Sequence, residues 1–336
     1  MKVDYKIVRM RCFAILVVVF GHSIILYDEQ WGVYATQNKV MSLMWIKHFI
    51  NTFQMPLFLF ISGFCFWESV KRHGFDNKKA TINGILNKAK HLLIPFVIVA
   101  LFWMIPIRKL CNYTPWENIP NYRIILYVLL GKDSGHLWFL PTLFIIFVLA
   151  FVGLNINCKR KDCLIILFSF FIMVFAAKFS AYLFISNVAQ SMYWFFMGYE
   201  FNKYKVKTKF ESWMLRRNIL TFFIGVILLI VLVESAHNYF LQIIEKIVVS
   251  IVILELYNII SNKKTGMLIK VISEKSMGIY LLHSPLVYFM YAYYTDANPF
   301  IMVFVNFIIC GLTSLFLSVL FGKIKTRILG SEKLKS

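Results

Sequence analysis

The sequence predicts an all-α protein that crosses a membrane about ten times, with both termini in the cytosol. Three observations carry that expectation. Hydrophobic residues make up 60% of the 336-residue chain and mean hydropathy is +0.70, well beyond what a water-soluble domain of this length carries. Apolar runs long enough to cross about 30 Å of hydrocarbon recur along the chain. The basic residues between them gather on alternate loops.

The runs fall at 12–28, 48–70, 92–107, 137–155, 163–178, 188–202, 218–235, 240–260, 277–294 and 299–321. Those at 163–178, 188–202 and 240–260 are short or carry charge. Loop charge gives a check independent of hydropathy. With the N-terminus inside, the cytosolic segments hold 28 of the 36 Lys and Arg residues. Miscounting one span would swap every later loop and cancel the asymmetry. The net charge of +20 therefore reads as positive-inside topology in a multi-pass protein of the plasma (inner) membrane. Nucleic acid is excluded as a partner, because the basic residues lie in short separated runs rather than one stripe interleaved with aromatics.

Between the third and fourth runs, 108–136 has a different texture. RKLCNYTPWENIPNY is polar with three prolines nearby, and RIILYVLLG is too short to cross, so the segment is expected outside as a loop plus an interfacial or re-entrant helix. A basic leader precedes the first run without a small-residue cleavage site, which predicts a retained helix. No internal repeat, low-complexity tract or Gly/Ser linker interrupts the chain, so a single domain over 1–336 is expected. The cysteines at 12, 65, 111, 158, 163 and 310 show neither C-x-x-C nor metal-ligand spacing, and neither disulfides nor a metal are expected.

Chemistry is suggested first by Arg11 and His22 in RMRCFAILVVVFGHSIILY. Eleven residues at about 100° each put both on one helix face, about 16 Å apart along the axis. Ionisable residues inside a membrane are costly and mark functional positions, although a His that merely bonds a neighbouring carbonyl in helix packing is equally consistent with this pattern. Ser276, Tyr280 and His283 in SMGIYLLHSP share another face, as a site or as an interhelical hydrogen-bond seam. His136 and Trp138 stand where the fourth run enters the bilayer, and Asn51 and Gln54 where the second begins. Pro56, Ser62 and Gly63 in FQMPLFLFISGF suit a kink and close helix packing. Glu245 and Glu255 are read as buried carboxylates about 80° off a common face, hence not a paired acid and base.

Taken together, these stretches resemble the acyltransferase 3 family from about residue 4 to 322. The most specific element is an arginine, ten residues and a histidine in the first membrane helix, here Arg11 and His22. MPLFLFISGF, HLWFLPTLF, FFMGYEF at 195–201 and IYLLH at 279–283 follow in the family's order. The resemblance implies an integral-membrane enzyme that moves an acyl group, often acetyl, from cytosolic acyl-CoA to a hydroxyl of an extracytoplasmic glycan or its lipid-linked precursor. By that resemblance His22 and Arg11 form the catalytic centre. Arg11 with Lys88, Lys90 and His91 would hold the acetyl-CoA phosphates, and Asn51, Gln54, His136, Trp138, Tyr280 and His283 would meet the acceptor.

Two departures stand out. KAKHLLIP offers Lys88, Lys90 and His91 where members often carry arginines, so point charges replace a bidentate clamp. Trp138, Phe139 and Leu140 are followed by Pro141 and Thr142 rather than paired glutamates, as in stand-alone members without an appended esterase-like domain. Acyl transfer to a hydroxyl needs a base, and burial favours the neutral imidazole that can accept a proton. The competing class is a secondary transporter or flippase with a buried Arg/His pathway, but the two similar halves such proteins show are absent from this sequence.

Overall fold

The computed structural model describes residues 4–29, 31–36, 38–75, 77–154, 160–205, 212–233 and 238–328. Twelve α-helices account for most of them: α1 (Tyr5–Ser23), α2 (Met41–His73), α3 (Lys78–Val99), α4 (Ile105–Leu110), α5 (Asn121–Leu129), α6 (Phe139–Leu154), α7 (Lys161–Val174), α8 (Ile185–Tyr204), α9 (Ser212–Leu232), α10 (Tyr239–Ile259), α11 (Met267–Tyr293) and α12 (Pro299–Ile328). No strand occurs among the described residues. The described residues of each of the ten apolar runs fall largely on helices.

Among the described residues, five helical stretches are long and apolar enough to cross a membrane: Met41–His73, Lys78–Leu110, Gly135–Leu154, Leu215–Leu232 and Pro299–Gly322. The other five runs fall short of that standard for visible reasons. α1 carries Lys6, Arg9 and Arg11, α7 has only 14 residues, and α8, α10 and α11 are punctuated by polar or charged side chains. Helices packed against other helices need not be apolar all round, and α1 and α11 pack against each other while α8 packs on α6 and α7. α12 shows the opposite pattern, exposing Phe300, Phe304, Leu312 and Phe316 along one face, a surface suited to lipid rather than water.

The described residues fall into two compact units. The first comprises those of 1–47, 102–118 and 262–336, and the second those of 48–101 and 119–261. In the first, α1, α11 and α12 pack on one another and α4 packs on α11. Asp4 caps α1 by accepting from the Lys6 amide, and the Tyr5 amide bonds Asn262 at 2.8 Å, which ties the start of α1 to the approach to α11. Gly278 lets α12 approach so closely that a Cβ there would overlap Ser318.

A helical irregularity precedes α4. Ala100–Met104 forms a π turn between α3 and α4. Pro106 has no N–H to give the Phe102 carbonyl, and π turns insert an extra residue into the helical register. The Trp103 indole donates to the Leu282 carbonyl at 3.1 Å. Downstream, Arg108 and Ile107 are buried while Lys109 and Leu110 are exposed.

In the second unit, α3 packs on α6, α7 on α8, and α9 on α10. Two of the family-like stretches meet here. Gly63 of α2 faces the Phe195 carbonyl, and Gly198 of α8 faces the Phe60 carbonyl, so the two backbones touch where a Cβ on either glycine would overlap the other helix. Asn202 extends the junction by donating to the Phe64 carbonyl at 2.8 Å and to Glu68 at 2.9 Å. MPLFLFISGF and FFMGYEF are thus two halves of one helix crossing, as the small residues of the first suggested. Glu245 and Glu255 are only half-buried, and Glu255 accepts from Asn258 at 3.1 Å. The carboxylates sit nearer solvent than expected because each occupies the less covered side of α10. Segment 108–136 contains the helix α5, but it is not wholly an exposed loop, since Arg108, Cys111 and Trp116 are buried.

Gly63→Ala and Gly198→Ala should each destabilise the protein by about 1–3 kcal/mol, the usual range for overpacking a close contact. Thermal unfolding in detergent, followed by tryptophan fluorescence, checks this. Gly153→Ala, which meets nothing nearer than 3.8 Å, should have little effect.

Candidate active site

The first unit places two histidines against each other. The His22 Nδ1 lies 2.9 Å from the Val18 carbonyl, one turn back on α1, and the His283 Nδ1 lies 2.9 Å from the Ile279 carbonyl on α11. The His283 Nε2 is 3.2 Å from the His22 Nδ1, and the rings meet edge to face with centroids 4.8 Å apart. These partners fix the direction of the bond. A carbonyl only accepts, so His283 donates from Nδ1 and, when neutral, presents a lone pair at Nε2. His22 then donates Nδ1–H, shared between that lone pair and the Val18 carbonyl. The basic lone pair of His22 is thereby set on Nε2.

Around His22 lies a small, partly open cavity walled by Ile25, Trp31, Ser284, Val287, Tyr288 and Tyr291. The Tyr291 hydroxyl donates to the His22 carbonyl at 3.0 Å, satisfying one of the last carbonyls of α1. Trp31 packs on Tyr288 and Tyr291 with ring centroids 5.9 and 5.8 Å away. Tyr280 sits beside His283 at 6.1 Å, ring to ring.

Tyr288 joins this cavity to a buried arginine. The Arg108 Nη2 donates to the Tyr288 hydroxyl at 2.9 Å, and the guanidinium lies over the rings of Tyr113 (4.3 Å), Tyr288 (5.1 Å) and Trp116 (5.2 Å). Arg108 is only 2% exposed. A cation so deeply buried needs compensation, and aromatic faces supply part of it. Tyr34 closes the cage from the loop after α1 and donates to the Cys111 carbonyl at 2.7 Å. Burial pushes its phenol well up from the ordinary range, so the group remains a neutral donor. Lys47 is a second buried cation of this unit, 4% exposed, with Asp28 and His283 within electrostatic range.

Arg11 lies half-buried on α1, about three turns from His22 and on the same face. Its neighbour Arg9 donates to the Lys263 carbonyl at 3.1 Å. In the second unit, Lys88, Lys90 and His91 do not converge on one point. Lys88 turns inward over the Phe147 ring at 4.2 Å, whereas Lys90 and His91 are exposed on α3. Asn51, exposed, accepts from the buried Gln54 at 2.8 Å. Asn51 and Trp138 line a cavity of about 380 Å³ together with Gln190, Ser191, Trp194 and Gln242. His136 is buried in the short 3₁₀ turn that precedes α6.

The geometry thus holds a base with an oriented tautomer, hydroxyl donors on the wall beside it, and cations nearby. That set suits attack by a hydroxyl on an activated carbonyl. The sequence matches the model of the acyltransferase 3 family, an acyltransferase domain, over residues 4–323. The chain belongs to the acyltransferase 3 family. No curated protein and no solved structure matches it. An acyltransferase of the membrane is therefore the activity to which the His22 region is to be related. Among the described residues no group of three or more His, Cys, Asp or Glu side chains could hold a metal ion. Cys12, Cys65, Cys111, Cys163 and Cys310 are free thiols, and Cys158 lies outside the described residues.

Arg108 and Lys47 were not singled out by sequence reasoning, which placed Arg108 in the external segment 108–136 and gave Lys47 no role. The available signal was the density of aromatic residues around Arg108, with Tyr113 and Trp116 five and eight positions on. Nitrogen-15 NMR of histidine-labelled protein should report Nδ1–H for both His22 and His283. An Nε2–H signal at neutral His283 would reverse the bond between the two rings.

Proposed function

We propose that this protein is an O-acyltransferase of the plasma (inner) membrane that moves an acyl group, acetyl by preference, from cytosolic acyl-CoA to a hydroxyl of an extracytoplasmic glycan or its lipid-linked precursor. The observation that carries the reading is the His22–His283 bond, because it sets the lone pair of His22 on Nε2, the atom a general base needs. As the acceptor oxygen attacks the thioester carbonyl carbon, its proton passes to the His22 Nε2. The C–S bond then breaks and the same nitrogen returns the proton to the departing thiolate. His22 as transient acyl carrier would use the same atom for attack.

Arg11, on the same face and nearer the cytosol, holds the donor phosphates, with Lys88, Lys90 and His91 adding attraction for an anionic coenzyme. Of the residues read from the sequence as meeting the acceptor, Tyr280 lies beside His283 in the first unit, and Asn51 and Trp138 line the 380 Å³ cavity of the second. Amide groups beside the indoles of Trp138 and Trp194 suit the polar edge and apolar face of a sugar ring. The ten-span arrangement with cytosolic termini expected from the sequence is part of this proposal. It assigns the walls of the His22 cavity to the outer halves of spans one and nine, and the walls of the 380 Å³ cavity to the outer ends of spans two, four, five, six and eight. Lys207, which the same arrangement puts inside, lies outside the described residues.

His22→Ala should reduce thioester consumption by purified protein by about 10²–10⁴-fold, the range for loss of a general base, and Arg11→Ala should abolish acyl transfer with membrane abundance near normal. Mass spectrometry of surface glycans from cells making the wild type should show a base-labile O-acyl increment that is missing with His22→Ala. A transporter would consume no thioester at all. The Lys88→Gln, Lys90→Gln, His91→Gln triple variant should raise the donor KM and flatten its dependence on salt while kcat stays close to wild type. An unchanged KM would leave these residues as topology signals.

A further inference from the structure

Among the described buried charged groups of the first unit, Arg108 is joined by a hydrogen bond to the wall of the His22 cavity. We propose that Arg108 is a positioning residue for acyl transfer: it fixes and polarises the Tyr288 hydroxyl so that this group donates to the oxygen of the thioester carbonyl as negative charge develops there. The proposal rests on acyl transfer at His22.

Three features carry it. Arg108 has only donors, so in their 2.9 Å bond the Tyr288 oxygen accepts and the phenolic proton must point elsewhere. A hydroxyl that accepts from a cation becomes a stronger donor in turn, and a guanidinium cannot lose its proton, so the polarisation is constant with pH. Tyr288 is also held at its ring, by Trp31 at 5.9 Å, Tyr34 at 6.3 Å and Tyr113 at 5.6 Å. The ring is therefore a fixed wall of the cavity that contains His22, which is the preorganisation an oxyanion donor needs.

A purely structural role would make the cage a staple between loops, but neutral groups already do that work. Tyr34 bonds the Cys111 carbonyl and Thr114 bonds the Val33 carbonyl at 2.6 Å, both without burying a charge. What the guanidinium adds to these neutral bonds is a fixed positive charge on the Tyr288 hydroxyl. The step balances: the acceptor oxygen bonds the carbonyl carbon, the carbonyl electron pair moves to its oxygen and is stabilised by Tyr288 O–H, and its return expels the thiolate. No proton leaves Tyr288.

The experiment uses full-length protein in detergent, acetyl-CoA as donor, and release of free thiol as readout. Tyr288→Phe keeps the ring contacts and should lower kcat about 10²–10³-fold, the loss seen when one oxyanion donor is removed, with the donor KM changed by less than about threefold. Arg108→Gln should lower kcat when Tyr288 is intact yet add almost nothing to the loss in the Tyr288→Phe variant, since the arginine acts through the phenol. Multiplicative losses would overturn the proposal, as would a kcat for Tyr288→Phe within about threefold of wild type. Should Arg108→Gln fail to fold, fluorotyrosines at position 288 decide the matter. Their shape is nearly unchanged, and kcat should track phenol acidity, whereas a rate indifferent to acidity refutes the polarising role. A wild type that releases no thiol from any acyl-CoA would instead retire the acyl-transfer reading itself.

Discussion

An imidazole can serve as a base only if its other nitrogen is committed elsewhere, and in this fold that commitment is made by a second imidazole on a different helix. His283 can accept from His22 because its own Nδ1 is occupied by the Ile279 carbonyl one turn earlier. The bond therefore depends on α11 being regular at this point, although Pro285 follows two residues later. It also depends on α1 ending where it does. Tyr291 secures the His22 carbonyl at the helix terminus, and edge-to-face contact between Phe20 and Phe307 locates α1 against α12. The small cavity, the aromatic wall and the Arg108 cage are all arranged around the bonded ring pair.

The close crossing of α2 and α8 works on a different principle. There the backbones themselves are in contact, and specificity comes from the absence of side chains at Gly63 and Gly198. Packing among helices in a membrane gains little from the hydrophobic effect, so close van der Waals approach and polar bonds such as those of Asn202 take its place. One unit thus concentrates its polar groups on a chemical site while the other devotes them to helix association and to a wide polar cavity.

Much of this was legible in the sequence. Hydropathy located every long helix because period and length survive whatever the tertiary context is, and Arg11, His22 and His283 were visible as ionisable groups in runs that exclude water. The pairing of His22 with His283 was not legible, since nothing in 261 positions of separation encodes that two faces meet. Arg108 and Lys47 were not legible as buried cations because they stand at the ends of apolar runs, where most basic residues are solvated. Lys88 illustrates the same limit in reverse: it belongs to a basic cluster on α3 but lays its charge over Phe147, because a long flexible stem can bury its methylenes at little cost.

The π turn at Ala100–Met104 has a genetic consequence. Its extra residue sets the rotational phase of everything up to Leu110, and about 100° of phase is gained or lost with each residue. With Trp103 held by its bond to the Leu282 carbonyl, deleting Met104 would leave composition and hydropathy nearly unchanged, yet it would turn Arg108 by about 100° out of its aromatic cage. A relative lacking that residue could keep every recognisable motif of the chain and still present a different side chain to Tyr288, so alignments across this stretch should be judged by phase rather than by identity.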